Sequence, residues 1–338
     1  MLSAPLESIG SPLLWAVTVI ALLVLFGIDL ALTRRPHEVS TREAMGWTVF
    51  YLALPLAFGM FIWLAHDATQ SLQFFTGYVV EKSLSVDNLF VFMLMLAAFA
   101  VPSEIAQRVL LYGIGCALVL RAVFIAAGAA VLSTGTWAFL LFGTILVVTA
   151  AKVTRDAHRG VKQHVDVDRM RSVRLLRRLM PVVSDYHGTR LTVRAEGRRA
   201  LTPMALVVVA VFIADVVFAV DSVPAVYGVT SDPYLVFVTN AFALLGLRAL
   251  YFVLRNALSA VRHLNYGLGF ILGFIGAKLI LHWVHGLWNW IPDVPTLLSL
   301  GVIIATLVVV TATSALANRR DARRESSDTL DSPIKRGA

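Results

Sequence analysis

Nine apolar stretches, at 12–32, 45–66, 74–100, 107–130, 136–152, 203–226, 234–254, 264–285 and 296–316, decide what this chain can fold into. At about 1.5 Å of rise per helical residue, each is long enough to cross a hydrocarbon core of about 30 Å. Of the 338 residues, 58% are hydrophobic and 15% charged, against roughly 45–50% and 25% in an average soluble domain. One water-soluble core would leave large apolar patches exposed, so the bilayer is the expected solvent. The predicted class is all-α, a polytopic membrane bundle of about nine helices.

The net charge of +8 would suggest nucleic acid in a soluble protein, but here its placement is topological. The odd-numbered connections and the C-terminal tail carry 3, 1, 13, 2 and 6 Lys and Arg, counting Arg108 and Lys152 with the connections they adjoin, and the other connections carry none. The positive-inside rule then puts the N-terminus outside and the C-terminus in the cytoplasm. The start of the chain reads as a first spanning helix, not a cleavable signal, because nothing before Trp15 is basic. Five segments follow: a first helix and loop (1–44), helices two to five (45–152), a basic cytoplasmic loop (153–202), helices six to nine (203–317), and a tail (318–338) expected to be disordered. In the basic loop, Thr189 to Arg194 alternates and Glu196-Gly197 supplies a turn, which predicts a small β-hairpin. The Arg-rich run before it (Arg169, Arg171, Arg174, Arg177, Arg178) suits anionic lipid or plain solvation.

The chain also repeats itself. Glu81-Lys82-Ser83-Leu84-Ser85-Val86-Asp87-Asn88 in helix three matches Asp215 to Asp221-Ser222 in helix six, each with carboxylates six apart. Leu120-Arg121-Ala122 then answers Leu247-Arg248-Ala249, and Gly143 to Ala151-Lys152 answers Gly269 to Ala277-Lys278. Since helix three enters the membrane from outside and helix six from inside, helices 3–5 and 6–8 read as inverted repeats. Transporters place substrate where such repeats meet.

A carboxylate in mid-membrane costs about 2.5–3.5 kcal/mol on insertion scales, so Glu81, Asp87, Asp215 and Asp221 need partners or a cation. Helix rise places Glu81 near the depth of Asp221 and Asp87 near that of Asp215, in two layers about 9 Å apart. Asp, Asn, Ser and carbonyl oxygens suit hard divalent ions, with Asn88 and Ser222 completing the candidate set and Asn240 and Ser85 as secondary polar groups. Pro224 lacks an N–H and frees the Val220 carbonyl beside Asp221. The competing role for the acids is charge pairing with Lys82, Arg121, Arg248 or Lys278, and a transporter site can swap such an internal cation for a metal or a proton. Cys116 is the single cysteine, which excludes an intrachain disulfide or a cysteine-rich zinc site. His66, His282 and His285 sit near helix ends, where an interfacial role is expected.

Three segments, Glu81 to Phe92, Asp215 to Ala225 and Asn240 to Phe252, resemble the hallmark segments of the TerC/Alx family, over roughly residues 40–320 of this chain. The resemblance implies a bacterial inner-membrane protein of the LysE-like transporter superfamily, a family name drawn from tellurite resistance, and Mn2+ export for the Alx-like branch. The family pattern implies an acidic residue three positions before Asp215, where this chain has Phe212, so a weaker inner site or a shifted metal preference is expected. The leading expectation is a secondary exporter of Mn2+ working by proton exchange at the same carboxylates. The ion is then cargo and not a permanent cofactor, and the partners are lipid and metal, not nucleic acid; a homo-oligomer stays open. The alternative is a non-transporting membrane component of stress response or assembly linked to tellurite resistance. No nucleotide-binding P-loop and no nucleophile–base arrangement is present, so neither ATP-driven transport nor an enzyme is expected.

Overall fold

The computed structural model describes residues 8–32, 41–159, 171–195, 198–247, 250–251, 264–288 and 294–331. Its helices, in chain order, are α1 (Pro12–Leu32), α2 (Thr41–Ala65), α3 (Ala68–Ala98), α4 (Ser103–Ser133), α5 (Trp137–His158), α6 (Arg171–Leu179), α7 (Pro203–Tyr227), α8 (Pro233–Leu245), α9 (Leu264–His285) and α10 (Thr296–Asp331). Strands β1 (Thr192–Ala195) and β2 (Arg198–Leu201) pair antiparallel with Thr192 opposite Leu201. The hairpin of the basic loop is therefore present, with its first strand later than the alternation predicted, and its turn residues Glu196-Gly197 lie outside the described residues. Seven helices, α1, α2, α4, α5, α7, α9 and α10, are long and apolar enough to span a bilayer. The chain is a polytopic all-α membrane protein.

Several helices outrun the apolar stretches that announced them: α2, α3 and α4 start four to six residues earlier, and α4, α5 and α10 stop later. Hydropathy marks where lipid ends, whereas a helix runs until its hydrogen-bond ladder is broken or capped. Thus α5 continues past Lys152 to His158, and α10 continues to Asp331, where the sequence reading expected disorder from 318. Arg, Ala and Glu in that extension are good helix formers, and lengthening an existing helix carries no nucleation cost.

Proline and aspartate set two starts on the other side of the bundle. Pro203 and Pro233 occupy the first positions of α7 and α8, where a missing N–H costs nothing. Asp232 caps α8 by accepting from Tyr234 N at 2.8 Å, and its carboxylate also accepts from Ser8 Oγ at 2.6 Å and Ile9 N at 2.9 Å. The segment before α1 is thereby fixed to the α7–α8 turn, and Thr230 Oγ1 ties that turn to Gln73 Oε1 of α3 at 2.8 Å. At the opposite end of α3, Tyr186 donates to the Phe99 carbonyl at 2.8 Å. Burial pushes the Tyr186 hydroxyl up to about 12, so it stays a donor. The basic loop and the α3–α4 turn therefore share one end of the bundle, and the chain start and the α7–α8 turn share the other.

Central position explains why α3 can be the polar helix. Its residues contribute to all three buried clusters, Val80 and Leu84 to one, Leu89 and Phe92 to another, Phe74 and Tyr78 to the third. It packs against α2, α7, α8, α9 and α10, so Glu81 faces protein instead of lipid. By contrast α1 and α2 expose Leu13, Ile20, Leu23, Leu56, Trp63 and Leu64, the apolar surface that lipid covers.

Two features stand out against the nine expected spans, of which 74–100, in α3, and 234–254 are not among the seven long apolar helices. The stretch 234–254 is not one unbroken helix: α8 ends at Leu245 and the chain turns at Gly246. Thirteen residues at about 1.5 Å each fall short of a hydrocarbon core. Lys82 Nζ of α3 donates to the Ala243 carbonyl at 3.3 Å, so an ammonium meets the negative end of this broken helix. The second feature is the contact between α5 and α9. A Cβ on Gly143 would stand 2.7 Å from both the Gly276 carbonyl oxygen and Ile280 Cγ1; one on Gly276 would stand 2.9 Å from the Gly143 oxygen and Val147 Cγ2. One on Gly269 would meet Thr154 Oγ1 and, at 3.4 Å, the Ala150 oxygen, and one on Gly273 meets Ala150 Cβ at 3.6 Å. The two antiparallel helices approach this closely because glycine removes the intervening side chain.

Candidate functional site

On α3, Glu81, Ser85 and Asn88 are spaced four and three residues apart and so share one face; all three are buried. Asp215 and Ser222 are seven apart on α7 and are both 1% exposed, while Asp221 is partly buried. Arg121 of α4 and Asn240 of α8 are each 1% exposed. These four helices converge because α4 packs against α7 and α8, and α3 packs against the same two.

Arg121 is the centre of the cluster. Its Nη1 donates to Glu81 Oε1 and, at 2.6 Å, to Asn240 Oδ1. Its Nη2 stands 3.5 Å from Asp215 Oδ1. One guanidinium thus serves an acid from each half of the sequence repeat, and the Asn240 amide is turned by donating to the Val236 carbonyl at 2.9 Å. Asp221 lies within electrostatic range of Glu81 and Arg121. Ionised Glu81, Asp215 and Asp221 outnumber Arg121 and Lys82, the cations in range of them, and leave the cluster negative. Several of its polar atoms have no hydrogen-bond partner among the described residues: Glu81 Oε2, both Asp215 oxygens, Ser85 Oγ, Asn88 Nδ2, Ser222 Oγ and Arg121 Nε. Leaving such a group unsatisfied costs about 1–3 kcal/mol, so this many in one place is a feature that folding alone does not explain.

The structure re-sorts the residues that the sequence nominated. Glu81 and Asp221 come within electrostatic range of each other, and Asp215 is drawn into the same cluster through Arg121; its expected nearness to Asp87 falls on a side chain outside the described residues. The guanidinium fork is wide enough to reach two acids, which a count of helical rise does not include. The Asp87 backbone lies on α3 and its side chain lies outside the described residues, as does Arg248 altogether. Lys82, nominated as a carboxylate partner, hydrogen-bonds to the end of α8. Lys278 is buried and lines a different cavity with Gln73, Tyr227, Thr230 and His282, to which no acid of the cluster contributes. Pro224 lies inside α7, which runs on to Tyr227. Asn240, nominated only as secondary, is a direct partner of Arg121. Among the described residues no three His, Cys, Asp or Glu side chains form a metal-ligating group. Sequence reading overlooked Asp29 of α1, which is 2% exposed; an acid inside an apolar stretch was the available signal.

Fold and site together define a polytopic helical membrane protein with a charged cluster buried between helices from both halves of its repeat. The model of the Integral membrane protein TerC family matches residues 66–322, and the chain belongs to that family. It is 37% identical over 329 residues to a protein of Photorhabdus laumondii named "Putative membrane-bound redox modulator Alx", covering 93% of this chain and 98% of the relative. The Escherichia coli (strain K12) protein of the same name is 36% identical over 326 residues with the same coverage. A Myxococcus xanthus protein, "Uncharacterized membrane protein STKORF319", is 38% identical over 275 residues, covering 81% of this chain and 85% of the relative. No solved structure matches the chain.

Proposed function

We propose that this protein is a secondary transporter of the bacterial inner membrane that exports a hard divalent cation, Mn2+ foremost, from the cytoplasm. The observation that carries the reading is the buried, acid-rich cluster of Glu81, Asp215 and Asp221, whose oxygens outnumber the donors offered to them. Oxygen donors of this kind suit Mn2+, Mg2+ or Ca2+ and not soft metals. Asp87, Asn88 and Ser222 complete the proposed ligand set. Protons exchanging at the same carboxylates would supply the driving force.

Alternating access by inverted repeats fits the α5–α9 contact. Exchanging the repeats maps 143 to 269, 147 to 273, 150 to 276 and 154 to 280. The contact of Gly143 with Gly276 then becomes that of Gly269 with Ala150, Gly143 with Ile280 becomes Gly269 with Thr154, and Gly276 with Val147 becomes Ala150 with Gly273. Each pair is found, which is what a two-fold axis between these helices requires. In the proposed orientation the end holding the basic loop faces the cytoplasm. There α6 lies on anionic lipid, with Val173 buried and Leu175 exposed beside Arg174 and Arg178.

The name of the Photorhabdus laumondii and Escherichia coli relatives favours a second reading, a modulator of redox state. A single cysteine permits no internal dithiol, so that role would need a partner thiol or a redox cofactor. Purified protein in proteoliposomes tests transport directly. Wild type should carry Mn2+ down its gradient, and Asp87→Asn and Asp221→Asn, which keep shape and remove charge, should each reduce flux by about tenfold or more while eluting as folded protein. Wild-type flux no greater than that of empty liposomes overturns the proposal.

A further inference from the structure

We infer that Arg121 is a tethered counter-cation: it competes with the transported ion for the same carboxylate oxygens and so keeps binding weak enough for release. The inference rests on the transport reading above and adds a role for a residue outside the metal-ligand set.

An arginine that is 1% exposed within a membrane helix has to be neutralised, and Arg121 is, by Glu81 and Asp215. A purely structural arginine would have its fork satisfied as well. Here Nη1 makes both hydrogen bonds, Nη2 reaches Asp215 only at 3.5 Å, and Nε has no partner among the described residues. The side chain is held at one end of its guanidinium and strongly held nowhere else. Its two acids come from α3 and α7, the helices that carry the matched motifs, so its position depends on how the two halves of the bundle stand relative to each other.

Its hydrogen bonds occupy the oxygens a hard cation would seek: Glu81 Oε1 and Asn240 Oδ1, with Asp215 Oδ1 close by. The Asp215 and Glu81 oxygens it leaves unbonded remain as a first foothold for an incoming ion. Arginine stays charged at any accessible pH, so it cannot step aside by losing a proton. An ion entering the cluster therefore has to draw the acids from a fixed positive charge, and that charge drives the acids' release of the ion when the halves of the bundle rearrange. Removing the charge leaves Glu81 and Asp215 without the cation that bridges them, with only Lys82 still in electrostatic range of Glu81, a better trap for a divalent ion and a poorer transporter.

The test measures Mn2+ binding to purified protein in detergent and Mn2+ flux in proteoliposomes, for wild type, Arg121→Gln and Arg121→Lys. Arg121→Gln should bind Mn2+ about tenfold or more tightly, because removal of a neighbouring positive charge favours a cation, and its flux should fall by about the same factor. Arg121→Lys keeps the charge and the fold but reaches one acid instead of two. It should bind more tightly than wild type by a smaller factor, about two- to fivefold, with flux retained, and it decides the matter if the Gln variant does not fold. Mn2+ affinity at or below the wild-type value in the folded variants overturns the inference and leaves Arg121 as a structural bridge. Wild type that neither binds nor carries Mn2+ overturns the transport reading itself, which is a different result.

Discussion

Glycine-to-alanine substitution along the α5–α9 contact should change stability in opposite directions at positions that sequence alone does not distinguish. At Gly143 the added Cβ meets a backbone oxygen and the Ile280 Cγ1, both at 2.7 Å, and at Gly276 it meets a backbone oxygen at 2.9 Å. These are several tenths of an ångström inside the 3.4 Å at which ordinary contact begins. A flexible side-chain tip could swing away, but a helix carbonyl moves only with its helix, so α5 and α9 must separate. Overpacking of this kind costs about 1–3 kcal/mol, and backbone involvement argues for the upper end. Alanine recovers about 1 kcal/mol through helix propensity, leaving a net loss of about 2 kcal/mol at either position. At Gly273 the same Cβ meets only Ala150 Cβ at 3.6 Å, so alanine should gain up to about 1 kcal/mol there. The two classes then differ by about 3 kcal/mol, roughly a hundredfold in the unfolding equilibrium. Reversible unfolding of the purified variants in mixed micelles, driven by a denaturing detergent, measures this. Equal stability of Gly143→Ala and Gly273→Ala would refute the close approach, and with it the axis proposed between the repeats.

Two further outcomes follow from the turns and the orientation. Ala100 ends α3 with φ of 49°, followed by a Val101 N to Leu96 O hydrogen bond at 2.9 Å, a helix stop that glycine usually occupies. The left-handed conformation costs alanine about 1–2 kcal/mol and glycine's extra chain entropy about 0.5–1, so Ala100→Gly should stabilise by about 0.5–1 kcal/mol; a lower midpoint in the same micelle titration contradicts it. With Cys116 replaced by Ser, a cysteine at Ser231 should react with an impermeant thiol reagent in intact cells, and one at Arg178 only after lysis. The reverse pattern inverts the orientation.

What the sequence determined on its own is set by local solvent. A run of about twenty apolar residues is stable in lipid whatever surrounds it, because transfer energies add residue by residue, so the membrane spans and the segregation of arginine to one end of the bundle were legible. Pro203 and Pro233 stand at helix starts for an equally local reason. The acids Glu81, Asp215 and Asp221 were legible too, since a carboxylate in such a run is anomalous wherever it occurs.

Partnership was not legible. Four acids facing four bases inside the spans allow many pairings, and choosing among them depends on how helices distant in sequence rotate and tilt. Arg121 meets Glu81 across 40 residues and Asn240 across 119, and Lys82 meets the carbonyl of Ala243 across 161. Only the packed bundle decided that one guanidinium bridges the two halves, that Gly246 breaks the seventh predicted span, and that α3 lies at the centre, because each depends on surfaces that exist only once the helices have met.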